Sequence, residues 1–147
     1  NRSVKKAGDW GGIVILGDAP INKFGGVASV NYDLDNALTV YGGNNPVASS
    51  GTLRYVRIEY AGYAFLPDKE INGLTFGGVG NGTVIDHVQV PFANDDYFEF
   101  FGGTVNAKHL ISYSCLDDDF DTAHGIVGKL QFGIVLRDSS IADISKV

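Results

Sequence analysis

Hydrophobic and polar residues alternate in several short segments of the chain. The alternation is clearest over residues 56–60, 88–92 and 130–136, where every second side chain is apolar. A period of two residues predicts β-strands with one buried face. Glycine-rich turns separate the strands, for example at residues 42–46 and 102–103. No segment carries an apolar stripe of period 3.6 long enough to predict a helix.

The chain also repeats itself. Residues 84–103 align with residues 106–125 at a shift of 22, with these identities: His87/His109, Asp95/Asp117, Asp96/Asp118, Phe98/Phe120 and Gly103/Gly125. Residues 55–62 align with residues 87–94 at a shift of 32. Residues 70–78 align with residues 95–103 at a shift of 25, so that Phe76 matches Phe101 and Glu70 matches Asp95.

A repeat of this length cannot bury its apolar face alone, because it holds only two or three short strands. Stacking successive repeats in register closes a continuous core, which is the solution of a solenoid. The sequence therefore predicts an all-β fold, a right-handed parallel β-helix with rungs of about 22 residues. An antiparallel sandwich is the competing architecture, since it also uses short strands and glycine turns.

Composition adds limits on class and partners. A chain of 147 residues predicts one domain over residues 1–147. No apolar run approaches the roughly 20 residues that cross a bilayer, so we expect no membrane-spanning segment. A formal net charge of −6 at pH 7 argues against nucleic acid as a partner. The sequence starts at Asn1 and contains no Met, which fits a mature exported chain or a fragment of a longer one.

Five phrases resemble a group of known proteins: Asp9–Gly17, Gly51–Glu59, Glu70–Thr75, Asp86–Val90 and Phe98–Lys108. They are similar to the β-helix region of uncharacterised secreted or lipid-anchored surface proteins of Bacteroidetes and some marine Proteobacteria. The resemblance covers most of residues 8–138. It implies a parallel β-helix and an extracellular or cell-surface location, and it carries almost no function.

Acidic residues form columns in the repeat. Glu70, Asp95 and Asp117 align in one column, Asp96 and Asp118 in a second, and Glu99 and Asp121 in a third. Carboxylates on adjacent strands, about 4.8 Å apart, repel one another unless a cation lies between them. Oxygen ligands select a hard ion such as Ca²⁺. The sequence predicts a Ca²⁺ site with these ligands: Asp95, Asp96, Asp117, Asp118 and Asp119. The alternative is a solvated acidic turn.

An enzymatic role is the second hypothesis. Parallel β-helices include polysaccharide lyases and hydrolases, and the Asp95–Asp121 region would supply their carboxylates. A hydrolase needs two carboxylates about 5–9 Å apart, which Asp96 with Asp118, or Glu99 with Asp121, would provide. A lyase needs a base near its metal, and the downstream candidates are Lys108, Lys129 and Arg137.

Aromatic residues indicate a third hypothesis, a carbohydrate-binding surface. Its predicted residues lie in the inserted loop or near the acidic turns: Tyr63, Phe65, Tyr97 and Tyr113. The alternative is that these rings belong to the core. His87 and His109 align in the repeat and are expected to stack on the outer face of one sheet, beneath Tyr55. Stacked rings at such positions are more typical of space filling than of a metal site.

The interpretation favoured by these patterns is an exported cell-surface β-helix with a structural or ligand-binding role. Calcium would hold its acidic turns, and glycans are candidate ligands. A β-helix leaves unpaired strand edges at its open ends, so we expect other protein chains to stack there.

Overall fold

The computed structural model describes residues 4–30, 36–66 and 69–141. Nearly all regular structure in this part of the chain is β-strand. In chain order the strands are β1 (Ile13–Leu16), β2 (Ala28–Ser29), β3 (Val40–Tyr41), β4 (Thr52–Arg57), β5 (Ala64–Leu66), β6 (Lys69–Glu70), β7 (Leu74–Gly77), β8 (Val84–Pro91), β9 (Phe98–Phe101), β10 (Asn106–Tyr113), β11 (Phe120–Ala123) and β12 (Lys129–Leu136). One α-helical turn, α1 (Asn36–Thr39), and a 3₁₀ turn over Phe24–Gly26 complete the described elements.

Two four-stranded parallel sheets form the body of the molecule. The first has the order β1-β7-β9-β11 and the second the order β12-β10-β8-β4. Two antiparallel pairs, β2 with β3 and β5 with β6, lie in the connections. Parallel pairing within both large sheets matches the predicted fold and excludes the antiparallel sandwich.

The strand register follows two of the three predicted shifts. Val84 pairs with Asn106 and Phe98 with Phe120, both at the shift of 22, and Val56 pairs with Val88 at the shift of 32. The third shift was wrong by one residue: it is 24 between Phe76 and Phe100, not the predicted 25.

Phe76 pairs with Phe100, not with Phe101 as the glycine matches suggested. A slip of one residue exchanges the two faces of a strand, so burial decides the register. Phe76 and Phe100 are both fully buried and their ring centroids are 4.9 Å apart. Glu70 nevertheless lies near Asp95, because its charge helps to raise the pKa of the Asp95 carboxyl.

The long strands of the second sheet bend at one position each. There the backbone enters the left-handed region, at φ of 54°, 54°, 55° and 59° for Tyr55, His87, His109 and Phe132. This conformation costs a residue other than glycine about 1–2 kcal/mol. The four residues are level with one another in the sheet and form one column, here named the aromatic corner.

Inward-facing residues of both sheets form the main core. Its largest buried side chains include Phe76, Phe98, Phe100, Leu110 and Tyr97. The apolar face of β12, which the alternation over residues 130–136 predicted to be buried, is exposed. β12 is the edge strand of its sheet, and no other part of the described structure covers it. The exposed apolar residues of β12 are Leu130, Phe132, Ile134, Val135 and Leu136.

Candidate functional site: an acidic cluster and an aromatic corner

The turns that precede β9 and β11 bring carboxylates together. Single carboxylate oxygens of Asp95, Asp96 and Asp117 all lie within 4.8 Å of one another. A second group shares Asp96 and adds Glu99 and Asp121, again within 4.8 Å. Glu99 and Asp121 are level in the sheet because β9 and β11 pair in parallel. These five residues are named the acidic cluster.

Glu99 is the most enclosed member of the acidic cluster. Its residue is only 3% exposed, and its Oε1 has no hydrogen-bond partner. Its Oε2 accepts a hydrogen bond from Asn72 Nδ2 at 3.4 Å. Thr75, level with Glu99 on β7, has a buried hydroxyl oxygen that is also without a partner. In the described part of the chain, these two atoms are the buried side-chain oxygens without a hydrogen-bond partner when the carboxyl groups are ionised, whereas a protonated Glu99 would hydrogen-bond to Asp96 or Asp121.

Burial and mutual repulsion raise the pKa values of these carboxyls. Burial, and then the charges of Asp96, Glu70 and Asp117, raise the pKa of Asp95 to about 7. Burial raises the pKa of Asp96 to about 6. Burial and the neighbouring Asp121 raise the pKa of Glu99 to about 9. Near neutral pH, Glu99 therefore retains its proton unless a cation compensates the charge.

Two predicted calcium ligands lie outside the acidic cluster. Asp118 is exposed and contributes backbone contacts: its N–H donates to Asp96 Oδ1 at 3.0 Å, and its carbonyl accepts from the Tyr97 N–H. The carboxylate of Asp119 instead accepts hydrogen bonds from Arg137 Nε, at 2.6 Å, and from Ser112 Oγ. The predicted set therefore divides: the carboxylates of Asp95, Asp96 and Asp117 converge, whereas the Asp118 side chain is exposed and the Asp119 carboxylate is engaged by Arg137.

Conversely, the predicted ligand set omitted Glu99 and Asp121. The repeat aligned them as a column of their own, and that alignment was the signal that could have found them. Their contact with Asp96 depends on the turn that brings Asp96 back beside β9, which the repeat alone does not show.

The predicted aromatic surface divides into exposed and buried residues. Tyr63 and Tyr113 are exposed. Tyr97 is fully buried, and its hydroxyl donates to the carbonyls of Tyr113 and Ser114, so its assignment to a ligand-binding surface was wrong. The side chain of Phe65 lies outside the described residues.

The aromatic corner forms a continuous stack of four rings. Ring centroids are 4.7 Å apart between Tyr55 and His87, 4.4 Å between His87 and His109, and 5.0 Å between His109 and Phe132. This arrangement confirms the predicted stacking of the two histidines.

The buried carboxylate of Asp86 contacts both histidines. The residue is 4% exposed, and its Oδ1 lies 2.8 Å from Nδ1 of both His87 and His109. Its Oδ2 accepts a hydrogen bond from Arg54 Nη2 at 2.9 Å. The hydrogen bond from His109, assisted by Arg54, lowers the pKa of Asp86 to about 2. Sequence reasoning missed Asp86, although it directly precedes one aligned histidine.

A groove of about 520 Å³ runs beside the aromatic corner across all four strands of the second sheet. Its lining is polar at one end, near Tyr55 and Arg57, and apolar at the other, near Ile111, Phe132 and Ile134. Both histidines line it as well, so a small ligand in the groove would contact their rings.

The three candidate bases of a lyase are dispersed. Lys108 and Lys129 line a separate groove on the second sheet. Arg137 alone contacts the acidic turns, where it donates to Asp119 and to the Asp117 carbonyl. The hydrogen bond to Asp119 raises the pKa of Arg137 further, so it acts as a counter-ion and remains protonated.

Parallel sheets with stacked inward columns and bends at fixed positions define the class of parallel β-helix proteins. The chain belongs to the family of pectate-lyase-like β-helix domains, whose family model matches residues 1–143. No curated protein and no solved structure matches the chain. None of the helices in the described residues is long and apolar enough to cross a membrane.

Proposed function

We propose that the chain is a right-handed β-helical solenoid whose acidic cluster binds Ca²⁺. The observation that carries the proposal is the buried carboxylate of Glu99, which lies against Asp96 and Asp121 with one oxygen unsatisfied. Buried polar atoms in native proteins are almost always satisfied, by protein, water or an ion. A cation would satisfy this oxygen and remove the repulsion among the three carboxylates.

The donor set favours a hard ion such as calcium over metals that prefer nitrogen or sulfur ligands. All candidate donors of the acidic cluster are oxygens, and the neighbouring Thr75 adds a hydroxyl oxygen to the same column. Ca²⁺ accepts six to eight oxygen ligands in flexible geometry, whereas transition metals prefer nitrogen and sulfur. The competing state is a protonated cluster in which Glu99 shares its proton with a neighbouring carboxylate.

Calorimetric titration of Ca²⁺ into chelator-stripped protein at pH 7.5 separates these states. We expect saturable binding with a raised melting temperature in the wild type and in Asp118→Asn, a matched control on the same turn. Binding should be lost in Glu99→Gln and in Asp96→Asn. Absence of binding in the wild type, or equal binding in Glu99→Gln, would contradict the proposal.

The biological setting that we propose is an exported surface module. The resemblance to secreted or lipid-anchored proteins supports the location. The exposed rings of Tyr63 and Tyr113 support glycan binding, with Ca²⁺ as a bridge to acidic sugars. Affinity electrophoresis in acidic and neutral glycans, with and without Ca²⁺, tests this role. Retardation by an acidic glycan only with Ca²⁺ is the expected result.

The exposed edge strand β12 supports a protein partner. Its outer backbone edge is unpaired within the described structure, and its side chains are all exposed. An apolar edge of this kind accepts a further strand by main-chain hydrogen bonding. We propose that another chain stacks here, and Ile134→Lys should weaken any self-association measured by light scattering.

Catalysis is the second candidate, and one observation favours it. Asp96 and Glu99 are in the same group, and burial raises the pKa of both carboxyls, so the pair holds a proton near neutral pH as an acid and base pair does. Against it, Glu99 is buried from substrate. Turnover of acidic glycans that Asp96→Asn abolishes without a change in melting temperature would favour the enzyme.

A further inference from the structure

We propose that Asp86, His87 and His109 form a second metal site, which binds Zn²⁺ through two imidazole nitrogens and one carboxylate oxygen. The site lies at the aromatic corner, in the other sheet from the acidic cluster. It is independent of the calcium proposal, because the two sites share no residue.

Convergence of the donor atoms is the first observation. Nδ1 of His87 and Nδ1 of His109 both lie 2.8 Å from the same atom, Asp86 Oδ1. One nitrogen or oxygen from each of the three residues lies within 4.8 Å of the others. Side chains from two neighbouring strands therefore direct their donor atoms at one point.

The backbone holds this convergence in place. Both histidines are in the left-handed region, at φ of 54° and 55°, which residues other than glycine adopt at a cost. Tyr55 and Phe132 share this conformation, so it belongs to the corner as a whole and keeps the two histidines in register. Tyr55 stacks on one side of the pair and Phe132 on the other, so the two imidazole rings are fixed along the column.

The surroundings of Asp86 match the second layer of a metal site. Arg54 donates to Oδ2 at 2.9 Å and thereby orients the carboxylate, while Oδ1 faces the histidines. Ligating carboxylates in metal sites are commonly hydrogen-bonded in this way. Asp86 is almost fully buried, so its charge is fixed in position rather than free to turn to solvent.

The site is accessible from outside. The side chains of His87 and His109 are 43% and 39% exposed, and both line the groove of about 520 Å³. Three protein ligands leave a tetrahedral ion one open position, as in catalytic zinc sites. The groove would deliver water or a ligand to that position.

The donor types determine which ion binds. Two imidazoles and one carboxylate suit Zn²⁺ and its neighbours in the transition series, while Ca²⁺ prefers oxygen alone. We therefore expect the two proposed sites to differ in ion preference: the acidic cluster should bind Ca²⁺ and the aromatic corner should bind Zn²⁺.

Titration of chelator-stripped protein with Co²⁺ tests the site, because Co²⁺ can replace Zn²⁺ and has visible absorption bands. Zn²⁺ is then added to displace the bound Co²⁺. The column itself supplies ring-preserving variants, since Tyr55 and Phe132 occupy equivalent positions: His87→Tyr and His109→Phe. Asp86→Asn removes the oxygen ligand, and Glu99→Gln is the control in the acidic cluster. We expect one Co²⁺ per chain in the wild type and in Glu99→Gln, and at least a tenfold loss of affinity in the other three variants.

Two results would overturn the proposal. One is the absence of saturable Co²⁺ and Zn²⁺ binding, which would leave Asp86 as a hydrogen-bond acceptor for two Nδ1–H groups. The other is binding that survives His109→Phe but disappears in Glu99→Gln, which would assign the ion to the acidic cluster. Melting curves of each metal-free variant show whether the fold is retained.

Discussion

The acidic cluster and the aromatic corner are built in the same way but differ in how their charge is compensated. The corner arises from side chains on neighbouring parallel strands, and the cluster from β9, β11 and the turns that precede them. Asp86 at the corner meets an arginine and two imidazoles, and its pKa is lowered to about 2. Glu99 in the cluster is buried against other carboxylates, and its pKa is raised to about 9. Pairing in register places like charges together at Glu99 and Asp121 but opposite charges together at Arg54 and Asp86, and this difference sets the direction of the two pKa shifts.

The largest effect that we predict is the pH dependence of the metal-free acidic cluster. The folded-state pKa of Glu99 is about 9, against an ordinary value of 4.5, so its contribution is complete below pH 4.5 and is lost as pH rises through 9. One pKa unit corresponds to about 1.4 kcal/mol, so the unfolding free energy should fall by several kcal/mol. Asp95 and Asp96 add to the loss below pH 7.

Denaturant unfolding of metal-free protein between pH 5 and 9 measures this loss, and Glu99→Gln is the matched variant. The variant should show a flatter profile than the wild type. Parallel profiles would show that Glu99 does not carry the effect.

The second prediction is that stability at the aromatic corner depends on pH in the opposite direction, falling as pH falls. The pKa of Asp86 is lowered from 3.8 to about 2, so its contribution is present above pH 3.8 and is lost as pH falls toward 2. Melting temperatures between pH 2 and 5 should therefore fall more steeply in the wild type than in Asp86→Asn. An equal slope in the two proteins would contradict the role assigned to the Asp86 contacts.

The third prediction separates ring stacking from hydrogen bonding at His109. His109→Phe keeps a ring between His87 and Phe132, while His109→Ala removes it. We expect the alanine variant to be less stable than the phenylalanine variant by about 1 kcal/mol, the size of an aromatic pair. Urea denaturation of both variants measures the difference, and equal stabilities would mean that the stack contributes little.

The smallest predicted effect is that of Asp118→Asn. The Asp118 side chain is exposed, its hydrogen bonds are made by its backbone, and its charge contributes only to the field around Arg137. Its replacement should change the unfolding free energy by less than about 0.5 kcal/mol. A large loss would show that the acidic cluster extends to the outer aspartates.

Sequence reasoning reached the parallel pairing and two of the register shifts because identical residues, such as Phe98 and Phe120, stack directly. It missed the register of Phe76 by one residue, since repeated glycines in a turn do not specify which face a strand buries. It could not separate Tyr97, which is buried, from Tyr63, which is exposed. The contact between Glu99 and Asp96 depends on the conformation of the turn that leads into β9. The alternation of residues along a strand does not predict the conformation of such a turn.

The most direct test of the calcium account is the melting-temperature shift caused by saturating Ca²⁺, measured from pH 5 to pH 9. If Ca²⁺ replaces the protons of the acidic cluster, the shift is small at pH 5 and grows as Glu99, Asp95 and Asp96 lose their protons. The same shift should be nearly absent in Glu99→Gln at every pH. A shift that does not depend on pH, or none at all, would contradict the account and leave a protonated carboxyl cluster without a metal.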